Sequence, residues 1–378
     1  MITPFVWRKW LAQLNTRHRP LARLRLEMTP LEDRVVPNGT VAFTSGGETI
    51  NAAAGTFSIP VTLTGRTPNS STFASGFDGA AGTAVDATGN VFVSNTNSDT
   101  VSEVTLAGNV STFATGFDAP EGLAFDATGN LFVANFANNT VSEVTPAGVV
   151  STFATGLDAP AGLTFDAAGN LFVTNDNDGT VSEVTPAGVV STFASGFNSP
   201  FGLAFDAAGN LFVANAAGNT VSEVTPAGVA STFATGFDDP TGLAFDTAGN
   251  LFVGSYSNNV VSEVAPGGSV STFASGLDAP AGLEFDAAGN LLVANFAGNT
   301  VTQFSVPSVS VPFILGGSAI GGGVDYSGVT NGPLVFAFGQ TTADITGTLN
   351  GNLGGSRTLE VDLGTPTNAT LGTPRSTT

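Results

Sequence analysis

A forty-residue unit repeats six times along most of this chain, and it constrains the fold more than any other feature. The copies begin at Ser71, Ser111, Ser151, Ser191, Ser231 and Ser271. One copy, residues 111–150, reads STFATGFDAPEGLAFDATGNLFVANFANNTVSEVTPAGVV. It contains four short apolar runs separated by turn-forming residues. Four strands per unit, six times over, predict a six-bladed β-propeller, with a solenoid as the competing interpretation.

The second part of each unit resembles NHL-repeat propellers and the related lactonase-type six-bladed family. The shared motif is Pro-x-Gly-aliphatic-x-hydrophobic-Asp-x-x-Gly-Asn-hydrophobic-x-Val. It stands here as PEGLAFDATGNLFV at 120–133 and as PFGLAFDAAGNLFV at 200–213. The first copy departs from it, because Ala80 takes the place of the proline. The resemblance covers residues 71–304 and implies an all-β, six-bladed propeller.

The repeat also predicts how the ring of blades closes. The strand STFA at 71–74 precedes the first GLAFD-type strand, whereas the sixth blade, 279–304, has no STFA strand after it. We therefore expect the N-terminal strand to complete blade six. Residues near 70 and 305 would then lie on neighbouring strands, about 5 Å apart.

Composition and charge exclude several function classes. The chain has 378 residues, no Cys, 48 Gly and 30 Phe, which favours an all-β fold without disulfides or thiol chemistry. Residues 41–378 carry three Arg, no Lys and 27 acidic residues. This strongly acidic segment repels nucleic acid and anionic lipid, and we therefore expect neither as a partner. No apolar run reaches the roughly 18 residues of a membrane span.

Two acidic rows recur with the repeat, and both have structural interpretations. An Asp precedes each Gly-Asn turn, where its carboxylate can accept turn amides. A Glu alternates with Val in the TVSEV strands, which predicts a solvent-facing row. We therefore expect neither row to bind metal. The Asp residues are Asp86, Asp126, Asp166, Asp206, Asp246 and Asp286, and the Glu residues are Glu103, Glu143, Glu183, Glu223 and Glu263.

The N-terminal segment 1–40 is basic and resembles a sorting segment of exported planctomycete proteins. The matching residues are Leu31, Glu32, Asp33, Arg34 and Pro37. The resemblance implies a secreted or cell-surface protein, while a disordered basic tail is the alternative.

The flanks 41–65 and 305–378 together resemble a Calx-beta domain, an immunoglobulin-like β-sandwich. The signatures are VAFTSGGETINAAAGTFSIPVTLTG at 41–65 and GVDYSG at 323–328. The resemblance implies one split sandwich with the propeller inserted, and it predicts that Val61 and its neighbours pair with the strand around Val309–Val311. Two unrelated flanking segments are the alternative. The family binds calcium, but of its ligand positions only Asp325 is clearly acidic here, so we expect no tightly bound Ca²⁺ or other cofactor.

Candidate binding residues come from the loops that converge at one end of a propeller channel. Where these loops differ between repeats, they carry Glu121, Phe136, Asp176, Phe201, Thr241, Tyr256 and Phe296. Aromatic rings with one or two acids suit a peptide, a glycan or a protein partner. The only His, His18, lies outside the repeats. We therefore expect a monomeric, non-catalytic surface protein.

Two other functions remain open. Lactonase-type relatives use Glu, Asn and Asp around a divalent metal, and Glu121, Asn135, Asp176 and Asn215 match these types. Convergence of three or four of their oxygens would favour a metal-dependent lactonase-like hydrolase. The second alternative is a calcium-binding Calx-beta adhesion module.

Overall fold

The structure, a computed structural model, describes residues 68–305 without a gap and shorter stretches on either side of them. In the described residues every regular element is a β-strand, and no helix there is long and apolar enough to cross a membrane. The chain divides into two compact units, Pro68–Ser305 and the paired flanks Met1–Thr67 and Val306–Thr378. The shorter described stretches are 11–12, 23–27, 38–43, 49–51, 57–66, 309–317, 326–329, 332–336, 342–349, 359–363, 366 and 370–371.

The unit Pro68–Ser305 is a six-bladed β-propeller, as the repeat predicts. Each blade is an antiparallel sheet of four strands in sequential order from the central channel outward. Blades 1 to 3 consist of Ala80–Val85, Val91–Asn95, Thr100–Val104 and Val110–Thr115; Pro120–Phe125, Leu131–Asn135, Thr140–Val144 and Val150–Thr155; Pro160–Phe165, Leu171–Asn175, Thr180–Val184 and Val190–Ser195. Blades 4 to 6 consist of Pro200–Phe205, Leu211–Asn215, Thr220–Val224 and Ala230–Thr235; Pro240–Phe245, Leu251–Ser255, Val260–Val264 and Val270–Ser275; Pro280–Phe285, Leu291–Asn295, Thr300–Ser305 and Asn69–Ser75.

The ring closes as predicted, with the first propeller strand on the outside of blade 6. Asn69–Ser75 pairs antiparallel with Thr300–Ser305, and Asn69 lies opposite Ser305. The two ends of the propeller are therefore neighbours in one sheet.

The repeated Asp residues cap their turns, as expected. In blade 2, Asp126 Oδ1 accepts hydrogen bonds from the backbone N–H groups of Thr128 (2.9 Å) and Asn130 (2.8 Å). The Asn130 side chain donates to Asp126 Oδ2 at 3.2 Å and to Glu143 Oε1 at 2.9 Å. Glu143 is therefore partly buried and bonded to the turn, so the expectation of a simply solvated Glu row is wrong there.

Phenylalanine rings pack across five of the six seams between blades. In the seam between blades 2 and 3, Phe132 contacts Phe153 and Phe165 edge-to-face, with ring centroids 4.8 and 5.0 Å apart. Such pairs contribute about 0.5–1.5 kcal/mol beyond area burial. The seam between blades 6 and 1 differs, because Leu292 and Val85 stand where the other blades have Phe.

The innermost strands approach one another closely enough to require glycine. A Cβ built on Gly162 would lie nearer than 3.0 Å to the backbone oxygen of Phe201 in the next blade, and its other near neighbours are also backbone atoms. The backbone of Gly162 does not have a positive φ, so space and not conformation selects glycine here. The equivalent residues in the other blades are Gly82, Gly122, Gly202, Gly242 and Gly282.

The flanking unit contains a sheet whose pairing contradicts one prediction. Phe57–Arg66 pairs with Asn38–Phe43 and with Thr342–Leu349, so that Val61 lies opposite Phe43 and Ala343. Val309–Val311 pairs instead with Leu334–Phe336. The predicted pairing of Val61 with the strand around Val309–Val311 is therefore wrong. Alternation of apolar residues defines the two faces of a strand but not its neighbour in the sheet.

Other parts of the flanks are outside what the structure describes. Asp325 and the segment Leu31 to Pro37 lie outside the described residues, so the calcium, sorting and export expectations stay predictions. The split Calx-beta sandwich and the insertion of the propeller in it also stay predictions. The remaining pairs are Phe313–Gly317 with Leu359–Leu363, Tyr326–Ser327 with Thr342–Leu349, Thr370–Leu371 with Asn38–Phe43, and Arg23–Glu27 with Leu11–Ala12 and Thr49–Asn51.

Candidate functional site

The six innermost strands surround a central channel with a volume of about 520 Å³. Its lining alternates Gly and Ala with Leu and Phe, and this pattern recurs along the innermost strands. Polar residues that interrupt this repeated lining are therefore the ones that can give the channel a specific chemistry.

Two sets of loops meet at one end of this channel, which we call the channel mouth. The loop before each innermost strand accepts a hydrogen bond from the first residue after each second strand. Examples are Asp176 N to Ala159 O at 3.1 Å and Tyr256 N to Asp239 O at 3.0 Å. The expectation that these two loop sets share one end of the propeller is confirmed.

The predicted residues fall on two rings of equivalent positions at the mouth. The inner ring is the second residue of each innermost strand, and the outer ring is the residue that follows each second strand. The inner ring is Ala81, Glu121, Ala161, Phe201, Thr241 and Ala281. The outer ring is Thr96, Phe136, Asp176, Ala216, Tyr256 and Phe296. A ligand-binding role for any of the seven predicted residues stays a prediction.

Glu121 is the only acidic residue of the inner ring. It is partly buried, and burial raises the pKa of its carboxyl group, while a hydrogen bond with Thr96 lowers it. The resulting pKa is about 8. The negative charge of Asp176 raises this pKa further. The carboxyl group of Glu121 is therefore protonated at neutral pH, although it lies at a solvent-connected channel.

Asp176, on the outer ring, belongs to the same electrostatic environment. Burial raises the pKa of Asp176, a hydrogen bond from Ser199 lowers it, and the charges of Asp158 and Asp239 raise it. No Lys, Arg or His occurs between residues 68 and 305, so no positive side chain of the propeller offsets these charges. The mouth therefore combines a protonated acid with a carboxylate that is more basic than an ordinary Asp.

Aromatic side chains occupy another part of the mouth. The rings of Tyr256 and Phe296 lie 6.0 Å apart between centroids and are inclined by 57°. Burial raises the pKa of Tyr256, and the nearby charges of Asp239, Glu121 and Asp278 raise it further, so its phenol group keeps its proton. Phe136 and Phe201 are partly buried.

Thr241 has a different role from the other predicted residues. Its side chain is buried, and its hydroxyl donates to Pro280 O at 2.7 Å and approaches Gly254 O at 3.3 Å. This hydroxyl therefore connects neighbouring blades beneath the mouth.

The two Asn candidates of the metal-dependent alternative are held by hydrogen bonds within their own blades. Asn135 is buried, and its side-chain amide donates to Thr140 Oγ1 (3.1 Å) and Ser142 Oγ (2.8 Å) within its own blade. Asn215 makes the equivalent bonds in blade 4. Within the described residues no group of three His, Cys, Asp or Glu side chains could hold a metal ion. The donor set in these residues does not fit a resident metal, so we derive no step through one.

Two partners of the acidic residues were not predicted from the sequence. Thr96, which follows a strand of blade 1, forms a hydrogen bond with Glu121 of blade 2. Ser199, just before the first strand of blade 4, forms a hydrogen bond with Asp176 of blade 3. Thr96 stands on the variable outer ring, so comparison of the repeats could have identified it.

Comparison with known proteins identifies an enzyme family. A family model described as the Virginiamycin B lyase family matches residues 67–262, more than half of the 378-residue chain. No curated protein sequence matches the chain.

Several solved structures share the fold. A gluconolactonase from Xanthomonas campestris is 17% identical, with a TM-score of 0.57 over 75% of this chain and 100% of that one. A streptogramin B lyase is 13% identical, with a TM-score of 0.50 over 73% of this chain and 96% of that one. A structural-genomics protein from Bacteroides thetaiotaomicron is 15% identical, with a TM-score of 0.56 over 78% and 90%. At these identities the similarity concerns the fold alone.

The expectation of a non-catalytic protein is wrong. The matching family is named for a lyase, and enzymes named as a lyase and a lactonase share the propeller. The absence of His from the repeats suggested no general base, but a carboxylate with a raised pKa can take that role.

Proposed function

The chain belongs to the virginiamycin B lyase family, and on that premise we propose that it is an enzyme that opens a cyclic ester by hydrolysis at the channel mouth. The observation that carries the proposal is the pair of carboxyl groups at the mouth: Glu121, which burial keeps protonated, and Asp176, whose pKa is raised. Hydrolysis of an ester needs a base for the attacking water and an acid for the leaving oxygen. The gluconolactonase with this fold supports a lactone as the substrate class.

The proposed mechanism gives one step to each residue. Asp176 takes a proton from water as the water oxygen attacks the ester carbonyl carbon. The phenol of Tyr256 donates a hydrogen bond to the carbonyl oxygen, on which negative charge develops. Glu121 gives its proton to the ring oxygen as the bond between this oxygen and the carbonyl carbon breaks. Return of the proton from Asp176 to Glu121, directly or through solvent, restores both groups.

The surroundings favour an uncharged, ring-shaped substrate and the release of its product. The faces of Tyr256 and Phe296 suit stacking against the flat side of a sugar ring, so a sugar-derived lactone is the preferred member of the class. The product is a hydroxy acid and therefore an anion at neutral pH. The surrounding carboxylates, unopposed by any positive side chain in 68–305, repel it.

Ring opening by the purified full chain tests the proposal. We expect proton release from gluconolactone or another sugar lactone, and we expect Glu121→Gln and Asp176→Asn each to lower kcat about 10²- to 10⁴-fold. Glu223→Gln is the control, because it changes the net charge by the same amount. Glu223 lies on the third strand of blade 4, opposite Phe212 and away from the mouth. The wild-type rate should fall above about pH 8, where Glu121 loses its proton.

Two results would refute parts of the proposal. If Glu121→Gln and Asp176→Asn keep the wild-type rate, the reaction takes place elsewhere. Elimination, which the family name supports, is separated from hydrolysis by reaction in ¹⁸O-labelled water. Hydrolysis places one solvent oxygen in the product carboxylate, whereas elimination places none. Because the donor set does not fit a metal, EDTA should leave the rate unchanged.

A further inference from the structure

The seam between blades 6 and 1 carries polar side chains at two facing positions, whereas each of the other five seams has an apolar residue at one or both of them. At each of the others, the fifth residue of one innermost strand is Ala or Thr, and the fourth residue of the next blade's innermost strand is Leu. Ala84 and Leu123, for example, belong to one hydrophobic cluster between blades 1 and 2. The equivalent residues at the last seam are Glu284 in blade 6 and Thr83 in blade 1.

The two replacements compensate in volume but not in hydrogen bonding. Glu is larger than Ala by about as much as Thr is smaller than Leu, so the pair fills similar space. Thr83 is only 6% exposed, and its hydroxyl has no hydrogen-bond partner. The Glu284 carboxyl group accepts a hydrogen bond from the backbone N–H of Phe285. A buried polar group without a partner costs about 1–3 kcal/mol, which an apolar pair at this seam would avoid.

Both residues belong to the innermost strands that line the central channel, and the Thr83 hydroxyl is buried beside it. The channel volume of about 520 Å³ exceeds the space that a small organic ion needs. The propeller contains no Lys, Arg or His from residue 68 to 305, so its acidic side chains draw cations toward the channel. Low-dielectric walls concentrate such a field inside a cleft.

We propose that the channel binds ammonium or a small primary alkylammonium ion between Glu284 and Thr83. One carboxylate balances one positive charge, and the ammonium N–H groups donate to the carboxylate and to the Thr83 oxygen. A multivalent metal ion needs several charged oxygens, and the described residues offer no group of three such side chains. The site is separate from the channel mouth and does not depend on the proposed function.

The site should release protons as it fills. Burial raises the pKa of Glu284 to about 7, and the hydrogen bond from the Phe285 N–H opposes this shift. The strands that pack on Pro280–Phe285 are Leu291–Asn295, Pro240–Phe245, Leu251–Ser255 and Ala80–Val85, and none contains another titratable side chain. A bound cation favours ionised Glu284. Affinity should therefore rise about tenfold between pH 6 and pH 8, with uptake of the ion and loss of a proton below pH 7.

Isothermal titration calorimetry of the full chain with methylammonium chloride tests this site, with sodium chloride holding the ionic strength constant. We expect one site per chain, and in two buffers of different ionisation enthalpy we expect the heats to differ at pH 6.5. Glu284→Gln should abolish binding, and Thr83→Val should weaken it about tenfold by removing a hydrogen bond to a charged group. Thr164→Ala is the control, because Thr164 is the equivalent of Glu284 in blade 3.

A double variant keeps the test decisive if a single change disturbs folding. Glu284→Ala with Thr83→Leu gives this seam the residues of the seam between blades 1 and 2, so we expect it to fold and to bind no ammonium ion. Undiminished binding by the double variant or by Glu284→Gln would overturn the proposal. Equal binding of sodium and methylammonium would also overturn it, as would no binding at all. A water molecule alone between the two side chains would explain that last result.

Discussion

Replacement of Gly162 by Ala tests whether the inner strands touch backbone to backbone around the channel. The added methyl group would lie nearer than 3.0 Å to Phe201 O, with Gly202 Cα and Phe201 C each at 3.2 Å. All three neighbours are backbone atoms, held by strands on both sides, and cannot rotate away. Overpacking of this kind costs about 1–3 kcal/mol, and occasionally more.

Gly267→Ala is a matched control for that variant. A Cβ on Gly267 meets nothing within 4 Å, and four other blades have Ala at this position, for example Ala147 and Ala187. Both variants restrict the unfolded chain equally, which alone would stabilise by about 0.4–1 kcal/mol. The difference between the two variants therefore measures the clash itself.

The assay is urea unfolding followed by circular dichroism, with thermal unfolding as a second measurement. We expect Gly162→Ala to be less stable than Gly267→Ala by about 1–3 kcal/mol. For a unit of this size, that corresponds to a midpoint lower by about 2–12 °C. Equal stability of the two variants would refute the reasoning, since it would mean that the inner strands can separate at no cost.

Three further predictions follow from side chains elsewhere in the propeller. Asn175→Ala should lower the free energy of unfolding in urea by about 1–3 kcal/mol, because buried Ser182 loses its 2.8 Å hydrogen bond from the Asn175 amide. Ser255 occupies the same position in blade 5, and its hydroxyl has no hydrogen-bond partner, so Ser255→Ala should cost less. Burial raises the pKa of Asp126, but hydrogen bonds from Asn130 and Thr128 outweigh it and lower the pKa, so the stabilisation from Asp126 is present above about pH 4 and is lost as pH falls. Asp126→Asn should therefore lose less unfolding free energy than the wild type between about pH 6 and pH 3, and an unchanged dependence on pH would contradict this. Phe172→Leu, which gives one seam the residue of Leu292, should cost about 1 kcal/mol of unfolding free energy, and no loss would show that the edge-to-face rings add nothing.

The sequence predicts most of the propeller because one physical solution is repeated six times. The turn around Asp126 and the closure of blade 6 by Asn69–Ser75 follow from repeated turn chemistry and from a strand missing at one end. The pairing of Val61 was wrong because an isolated strand does not specify its neighbour.

The site was harder to predict, since its chemistry depends on environment more than on residue type. The sequence places Glu121 and Asp176 at variable positions, but only packing shows that one is a protonated acid beside a second carboxyl group. Glu284 and Thr83 each interrupt a repeated Ala or Leu position, a signal that comparison of the repeats contains. Their placement on the same seam emerges only when the ring is closed.

The pairing of Asn69–Ser75 with Thr300–Ser305 also has a consequence for folding kinetics. The last sheet joins residues more than two hundred positions apart, so it cannot form until nearly the whole propeller has been synthesised. Contacts of such sequence separation slow folding, and until they form the strand Thr300–Ser305 has an unpaired edge that another chain could join. In ribosome-bound chains that end before residue 300, the strand Asn69–Ser75 has no partner and should therefore be open to proteolysis. Synthesis of the last blade should protect it.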